Sequence, residues 1–173
     1  PVENPYAYGN AWFVDKVQYV NNANEEIDAL NDIRPMETAV VDARFKEQLK
    51  GVTEGYKDSL STIRLTDYEP NRLVYKVSTP KDGVVVFSEV YYPGWQATID
   101  GQPVDIARAD YILRAMNVPA GEHTIEMWFN PQSIHVTESI AYAALALLLI
   151  GVMLLAWTQR SKIAKTSCWQ ESS

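Results

Sequence analysis

The stretch GVVVFSEVYYPGWQATIDGQPVDIARADYILRAMNVPAGEHTIEMWF (83–129) decides the fold. β-Branched and aromatic residues recur in short runs, most of them alternating in polarity. Turn formers separate the runs: Pro93-Gly94, Asp100-Gly101, Pro119-Ala120-Gly121 and, just beyond, Asn130-Pro131. The same texture begins at Ser61, with STIRLTDYE and NRLVYKVST parted by Pro70-Asn71 and ended by Pro80-Lys81-Asp82-Gly83. Regularly spaced short strands with such breaks predict an antiparallel β-sandwich. The apolar run Val84 to Phe87 marks a strand covered on both faces, hence central. Asp100-Gly101 suits a type I′ hairpin, with Trp95, Ala97 and Ile99 on one face before it and Val104 and Ile106 after. Pro119-Ala120-Gly121 is expected to join YILRAMNV to EHTIEMWF as a second hairpin, with Ile125, Met127 and Phe129 facing the core.

The segment 1–60 is mixed in character. AWFVDKVQYV (11–20) reads as one strand. Asn22-Ala23-Asn24 offers a helix N-cap before EEIDALNDI, with Glu25 and Glu26 placed where the helix dipole favours acids. Ala23, Ile27 and Leu30 would share one face of this short helix, which ends near Arg34-Pro35. METAVVD (36–42) reads as a strand, and 43–60 as a turn of helix followed by an exposed loop. The expected fold is therefore mainly β: an antiparallel β-sandwich with one or two short helices, followed by a transmembrane α-helix.

That last helix rests on IAYAALALLLIGVMLLAW (140–157), a run of 18 residues without a charge. At about 1.5 Å per residue it approaches the roughly 30 Å of a bilayer core. Its position excludes a signal peptide, and the tail behind it argues against a removed anchor signal. Tyr142 and Trp157 are placed as interfacial aromatics. Arg160, Lys162 and Lys165 follow and mark the cytoplasmic side. Ahead of the run stand 12 Lys+Arg against 21 Asp+Glu; behind it, 3 Lys+Arg against 1 Glu. The division expected is 1–138 as an extracytoplasmic domain (1–60 mixed α/β, 61–138 β-rich), 139–158 as a transmembrane helix, and 159–173 as a basic cytoplasmic tail. The lipid bilayer is then a partner. The acidic outer part argues against nucleic acid, which demands a basic patch. The one cysteine, Cys168, falls in the tail, so the outer domain holds no disulfide. The chain begins with Pro1, read as processing or as a fragment of something longer.

Signals for chemistry are sparse. His123 and His135 stand twelve apart without cysteine partners, so no metal site is expected. No GxSxG, P-loop or GxGxxG occurs, and no cofactor is implied. Carboxylates are abundant, but strand spacing does not pick out the pair a glycosidase needs. The cluster Tyr91-Tyr92-Pro93-Gly94-Trp95 is different, because flat aromatic faces with polar rims can stack on sugar rings. Tyr91, Tyr92 and Trp95 are candidate glycan contacts, with Arg108, Asp110 and Arg114 on the same edge. A core anchor for Tyr92 or Trp95, and a structural ion pair among Arg108, Asp110 and Arg114, are the competing readings.

The run FSEVYYPGWQATIDGQPVDIARADYILRAMNVPAGEHTIEMWFNP (87–131) resembles the C-terminal region of YfhO-like bacterial membrane proteins, and NPYAYGNAWFVDKVQYVNNANEEIDALNDIRPMETAVVD (4–42) resembles the segment preceding it in that family. The combination YYPGW, DG, PAGEHTI and FNP carries the likeness. It implies a large polytopic protein of the bacterial cytoplasmic membrane, with many helices ahead of this region. It also implies kinship with the GT-C class of lipid-linked-sugar glycosyltransferases, whose acidic catalytic residue lies in an early extracytoplasmic loop. No catalytic residue is thereby carried onto this chain. The implied partners are the preceding helices of the same protein and an envelope glycan or polyprenyl-linked sugar. A non-catalytic glycan-binding or structural module of an envelope assembly or transport protein is the alternative. A membrane-anchored hydrolase is a third reading, for which no nucleophile is visible.

Overall fold

The computed structural model describes residues 8–55 and 59–170. It divides into two compact units, one up to Asn130 and one from Pro131.

The first unit departs from expectation at its start. AWFVDKVQYV forms two strands, β1 (Ala11–Val14) and β2 (Lys16–Val20), which break at Asp15 and belong to different sheets. The cause is local. The amides of Asp15 and Lys16 both donate to Glu37 O, at 2.8 and 2.9 Å, while Asp15 O accepts from Gly55 N at 2.9 Å. These bonds turn the chain out of one sheet and into another. The helix α1 (Ala23–Leu30) then links β2 to β3 (Thr38–Asp42), and these two strands pair in parallel, which requires such a crossover. Asn22 Oδ1 caps α1 by accepting from Asn24 N and Glu25 N. The helix buries Glu26 completely, whereas Ile27 stays 44% exposed, so its inward face is not the apolar one expected. A 3-10 turn (Ala43–Phe45) follows. Within the segment expected as an exposed loop, Leu49 is fully buried.

The β-rich part runs through β4 (Thr62–Glu69), β5 (Arg72–Thr79), β6 (Gly83–Val90), β7 (Trp95–Ile99), β8 (Gln102–Val104), β9 (Ala107–Ala109), β10 (Leu113–Val118) and β11 (Gly121–Phe129). Two antiparallel sheets result, ordered β1-β6-β10-β9 and β4-β5-β11-β7-β8. Between them lies a core of Leu73, Tyr75, Phe87, Met116, Ile125 and Met127. A second core packs the other face of the four-stranded sheet against the β2–β3 pair, through Trp12, Val14, Val17, Ala39, Val41, Val84 and Val86. The unit therefore has three layers. β6 is covered on both faces, Val85 and Phe87 to one core and Val84 and Val86 to the other, which accounts for its unbroken apolar run.

The Asp100-Gly101 turn joins β7 to β8 with φ of 50° and 79°, as a type I′ turn needs. The Pro119-Ala120-Gly121 connection is not a hairpin. It carries the chain from β10 in one sheet to β11 in the other. The two strands suit different layers. β10 buries residues of both parities, Ala115 and Met116, whereas β11 buries Ile125 and Met127 and leaves Thr124 and Glu126 partly exposed. VDIARA likewise splits between β8 and β9.

The second unit holds α2 (Gln132–Gln170), within which Val136–Trp157 is long and apolar enough to cross a membrane. Its 22 residues rise about 33 Å at 1.5 Å each. Leu147, Leu155 and Trp157 are each about two-thirds or more exposed, so the helix presents an apolar surface suited to a bilayer.

Candidate functional site

Where β6 ends, Tyr91 N donates to Ile112 O at 2.6 Å, anchoring the exit of the strand. Pro93-Gly94 then reverses the chain. Gly94 has φ of 110°, a value that favours glycine, and its carbonyl accepts from Asn130 N at 2.8 Å. This turn presents the aromatic cluster. Tyr91 packs edge-on against Phe45, with centroids 5.4 Å apart. Tyr92 is 61% exposed, its ring 6.0 Å from Phe129. Trp95 lies 5.6 Å from Phe129 on one side and under the Arg114 guanidinium, 3.8 Å away, on the other. Tyr91, Tyr92, Trp95 and Trp128 line a groove of about 380 Å³, closed by Pro103 to Ile106 and bordered by the polar groups of Gln48, Gln96 and Asp105.

The two aromatics seen in sequence thus differ. Trp95 packs against the core, while Tyr92 stands at the rim. Arg114 is 2% exposed and donates through Nε to Val90 O at 3.0 Å. Burial pushes its pKa below the usual arginine value, against the opposing pull of Glu89. Trp128, outward on β11 and directly opposite Gln96 across the strand pair, joins the groove. The alternation of EHTIEMWF already turns it away from Ile125 and Met127, and that was the signal available for it.

Arg108 and Asp110 do not line this groove; they belong to an internal network. The Arg108 guanidinium lies over the rings of Phe45 and Tyr111, at 5.4 and 5.2 Å, and pairs with Glu26. Asp42 lies 3.9 Å from the same nitrogen. Glu26 also accepts from Tyr111 N at 2.8 Å, so a buried carboxylate of α1 clamps the corner between β9 and β10. Asp110 exchanges two bonds with β3: its amide donates to Val40 O at 2.7 Å, and its Oδ1 accepts from Val40 N at 2.8 Å. Asp110 and Tyr111 both sit at positive φ, 48° and 70°, a strain held by these bonds. Burial raises the Asp110 pKa to about 6. Burial also raises that of Glu26, outweighing the Tyr111 amide and Arg108. Glu26 was not singled out in the sequence, because an acid in a first helical turn reads as a solvated dipole partner.

His123 has both ring nitrogens engaged, Nδ1 with Asp100 Oδ2 at 2.6 Å and Nε2 with Ala120 O at 3.2 Å. The Asp100 hydrogen bond raises the His123 pKa. Among the described residues no group of three metal-binding side chains converges. The side chain of His135, and those of Arg160, Lys162 and Lys165, lie outside the described residues. Trp157 closes the apolar span and is 72% exposed; Tyr142, 69% exposed, lies about 9 Å along the helix from Val136.

In comparisons with known proteins, residues 46–141 match the family described as bacterial membrane protein YfhO, a stretch of more than half the chain. No curated protein and no solved structure matches.

Proposed function

This chain belongs to the bacterial membrane protein YfhO family, and we propose that its β unit is an extracytoplasmic accessory domain that contacts envelope glycan. In this reading α2 is the last helix of a bundle in the cytoplasmic membrane, with Arg160, Lys162 and Lys165 on the cytoplasmic side. The protein as a whole transfers sugar from a polyprenyl-phosphate donor, and its catalytic residues belong to the region ahead of this chain. The resemblance to GT-C transferases motivates the transfer reaction. The charge asymmetry about the apolar span motivates the orientation.

One observation carries the glycan contact: the exposed Tyr92 ring at the rim of a groove whose wall is Trp95 and Trp128. Aromatic faces take up the C–H faces of sugar rings, and Gln48, Gln96 and Asp105 offer hydrogen bonds to hydroxyls. The full chain in detergent micelles, titrated with envelope glycans, should bind. Tyr92→Ala should weaken that binding by about tenfold, a loss of about 1.4 kcal/mol. Tyr92 suits this test better than Trp95, whose removal would also strip Arg114 of its aromatic platform. Absence of binding by the native chain sinks the glycan contact. Absence of sugar transfer by the full-length protein, reconstituted in lipid with lipid-linked donors, sinks the enzymatic part alone. Packing of Trp95 on Phe129 and Arg114 favours a second reading, a non-catalytic structural module, and the same two assays separate it from the first.

A further inference from the structure

We propose that the end of the β unit at which β11 finishes rests in the interfacial layer of the bilayer, with Tyr68, Val90 and Ile112 as its apolar contact. These side chains are 64%, 59% and 50% exposed. Scattered singly they would need no explanation. They come, however, from three separate elements that meet at one end: the last residues of β4, the last residue of β6, and the corner before β10.

The pairing places all three at this end. β4 and β11 run in the same direction on either side of β5, and Glu69 and Trp128 both pair with Arg72. Val90 pairs with Leu113, and Ile112 O accepts from Tyr91 N. Arg114 ties the two sheets together here, bonding Val90 O while lying over Trp95. Tyr92 stands at the margin of the same end.

Chain length keeps this end within reach of the bilayer, which makes lipid the occupant proposed for it. Phe129 ends β11, and the apolar span begins at Val136. Seven residues of chain reach at most about 25 Å when fully extended, whatever the angle between the units. The interfacial layer itself occupies about 5–8 Å beyond the hydrocarbon. The β11 end also exposes the polar turn Glu69-Pro70-Asn71, at headgroup depth in this reading; among the described residues the opposite end lacks the apolar cluster. It exposes the turns Lys81-Asp82, Asp100-Gly101 and Ala120-Gly121-Glu122, with Leu60 as its large exposed apolar residue. At the β11 end Arg72 is already paired with Asp67 and Glu126, so attraction to anionic headgroups is not the driving term. Zwitterionic lipid suffices.

The test uses the full chain in phosphatidylcholine vesicles, with Cys168→Ser removing the native thiol. A fluorophore is attached at Ile112→Cys, at Val90→Cys as a second reporter, or at Glu122→Cys at the opposite end. All three positions are solvent-exposed, and circular dichroism checks that each variant folds. Lipids brominated on their acyl chains should quench the labels at 112 and 90 severalfold more than the label at 122, and aqueous iodide should show the reverse order. Labels at 112 and 90 that iodide quenches freely and brominated lipid does not would overturn the proposal. Labels shielded from both quenchers would overturn it too, since protein rather than lipid would then cover the patch. The outcome is independent of the glycan titration.

Discussion

Asp110 shows what a single residue in a strained corner can hold. Its Oδ1 and amide complete the edge of β3, while Oδ2 is buried without a hydrogen-bond partner among the described residues. A carboxyl raised to about 6 from 3.8 binds its proton more tightly in the folded than in the unfolded state. That contribution is complete below pH 3.8 and is lost as pH rises through 6. Unfolding of the full chain in micelles, followed against pH, should therefore show a stability loss between these values. Asp110→Asn keeps an acceptor for Val40 N. It should flatten the profile and stabilise the protein at neutral pH by about 1–3 kcal/mol. Glu26, raised by the same burial, keeps a residual slope of the same sign. An unchanged profile in the variant would mean that Asp110 does not titrate in this window. The sequence marked Asp110 and Arg108 for the aromatic edge or for a structural ion pair, and Arg108 is found in such a pair, with Glu26. It missed Glu26, because pairing across more than eighty residues leaves no local signal.

At the level of elements, the decisive event is the break between β1 and β2. Polarity patterning marked 11–20 as extended but read one strand where there are two, because no pattern says that one run serves two sheets. The break depends on residues far along the chain, Glu37 and Gly55. Gly55 comes so close that a Cβ there would lie 2.1 Å from Val14 O and 3.0 Å from Val14 C, both backbone atoms unable to move independently. Gly55→Ala should cost at least about 2 kcal/mol, read as a lowered unfolding midpoint. A midpoint equal to that of the native chain would show that the approach is looser than described. The misread hairpin at 119–121 has the same origin. Turn chemistry announces a reversal, but the burial of both faces of β10 decides which sheet it joins.

For the whole molecule, family membership and the apolar span establish a membrane protein. Orientation is tested directly. Cys168, the only cysteine, should resist a membrane-impermeant maleimide in intact cells and react after lysis, if the basic tail faces the cytoplasm. A cysteine introduced at Glu122 should react in intact cells whose outer layers admit the reagent. The opposite pattern would reverse the orientation and remove the groove from the envelope side.

The sequence by itself determined the β-rich class, nearly every strand and turn of 61–129, the capped helix and the span. Those features follow from local polarity periods, backbone preferences and length, which neighbours in the chain express directly. Tertiary structure alone decided the third layer, the division of 11–20 between two sheets, and the separation of Arg108 and Asp110 from the aromatic groove. These depend on which distant groups satisfy a buried charge or an open strand edge, and long-range pairing is not encoded in any window of the chain.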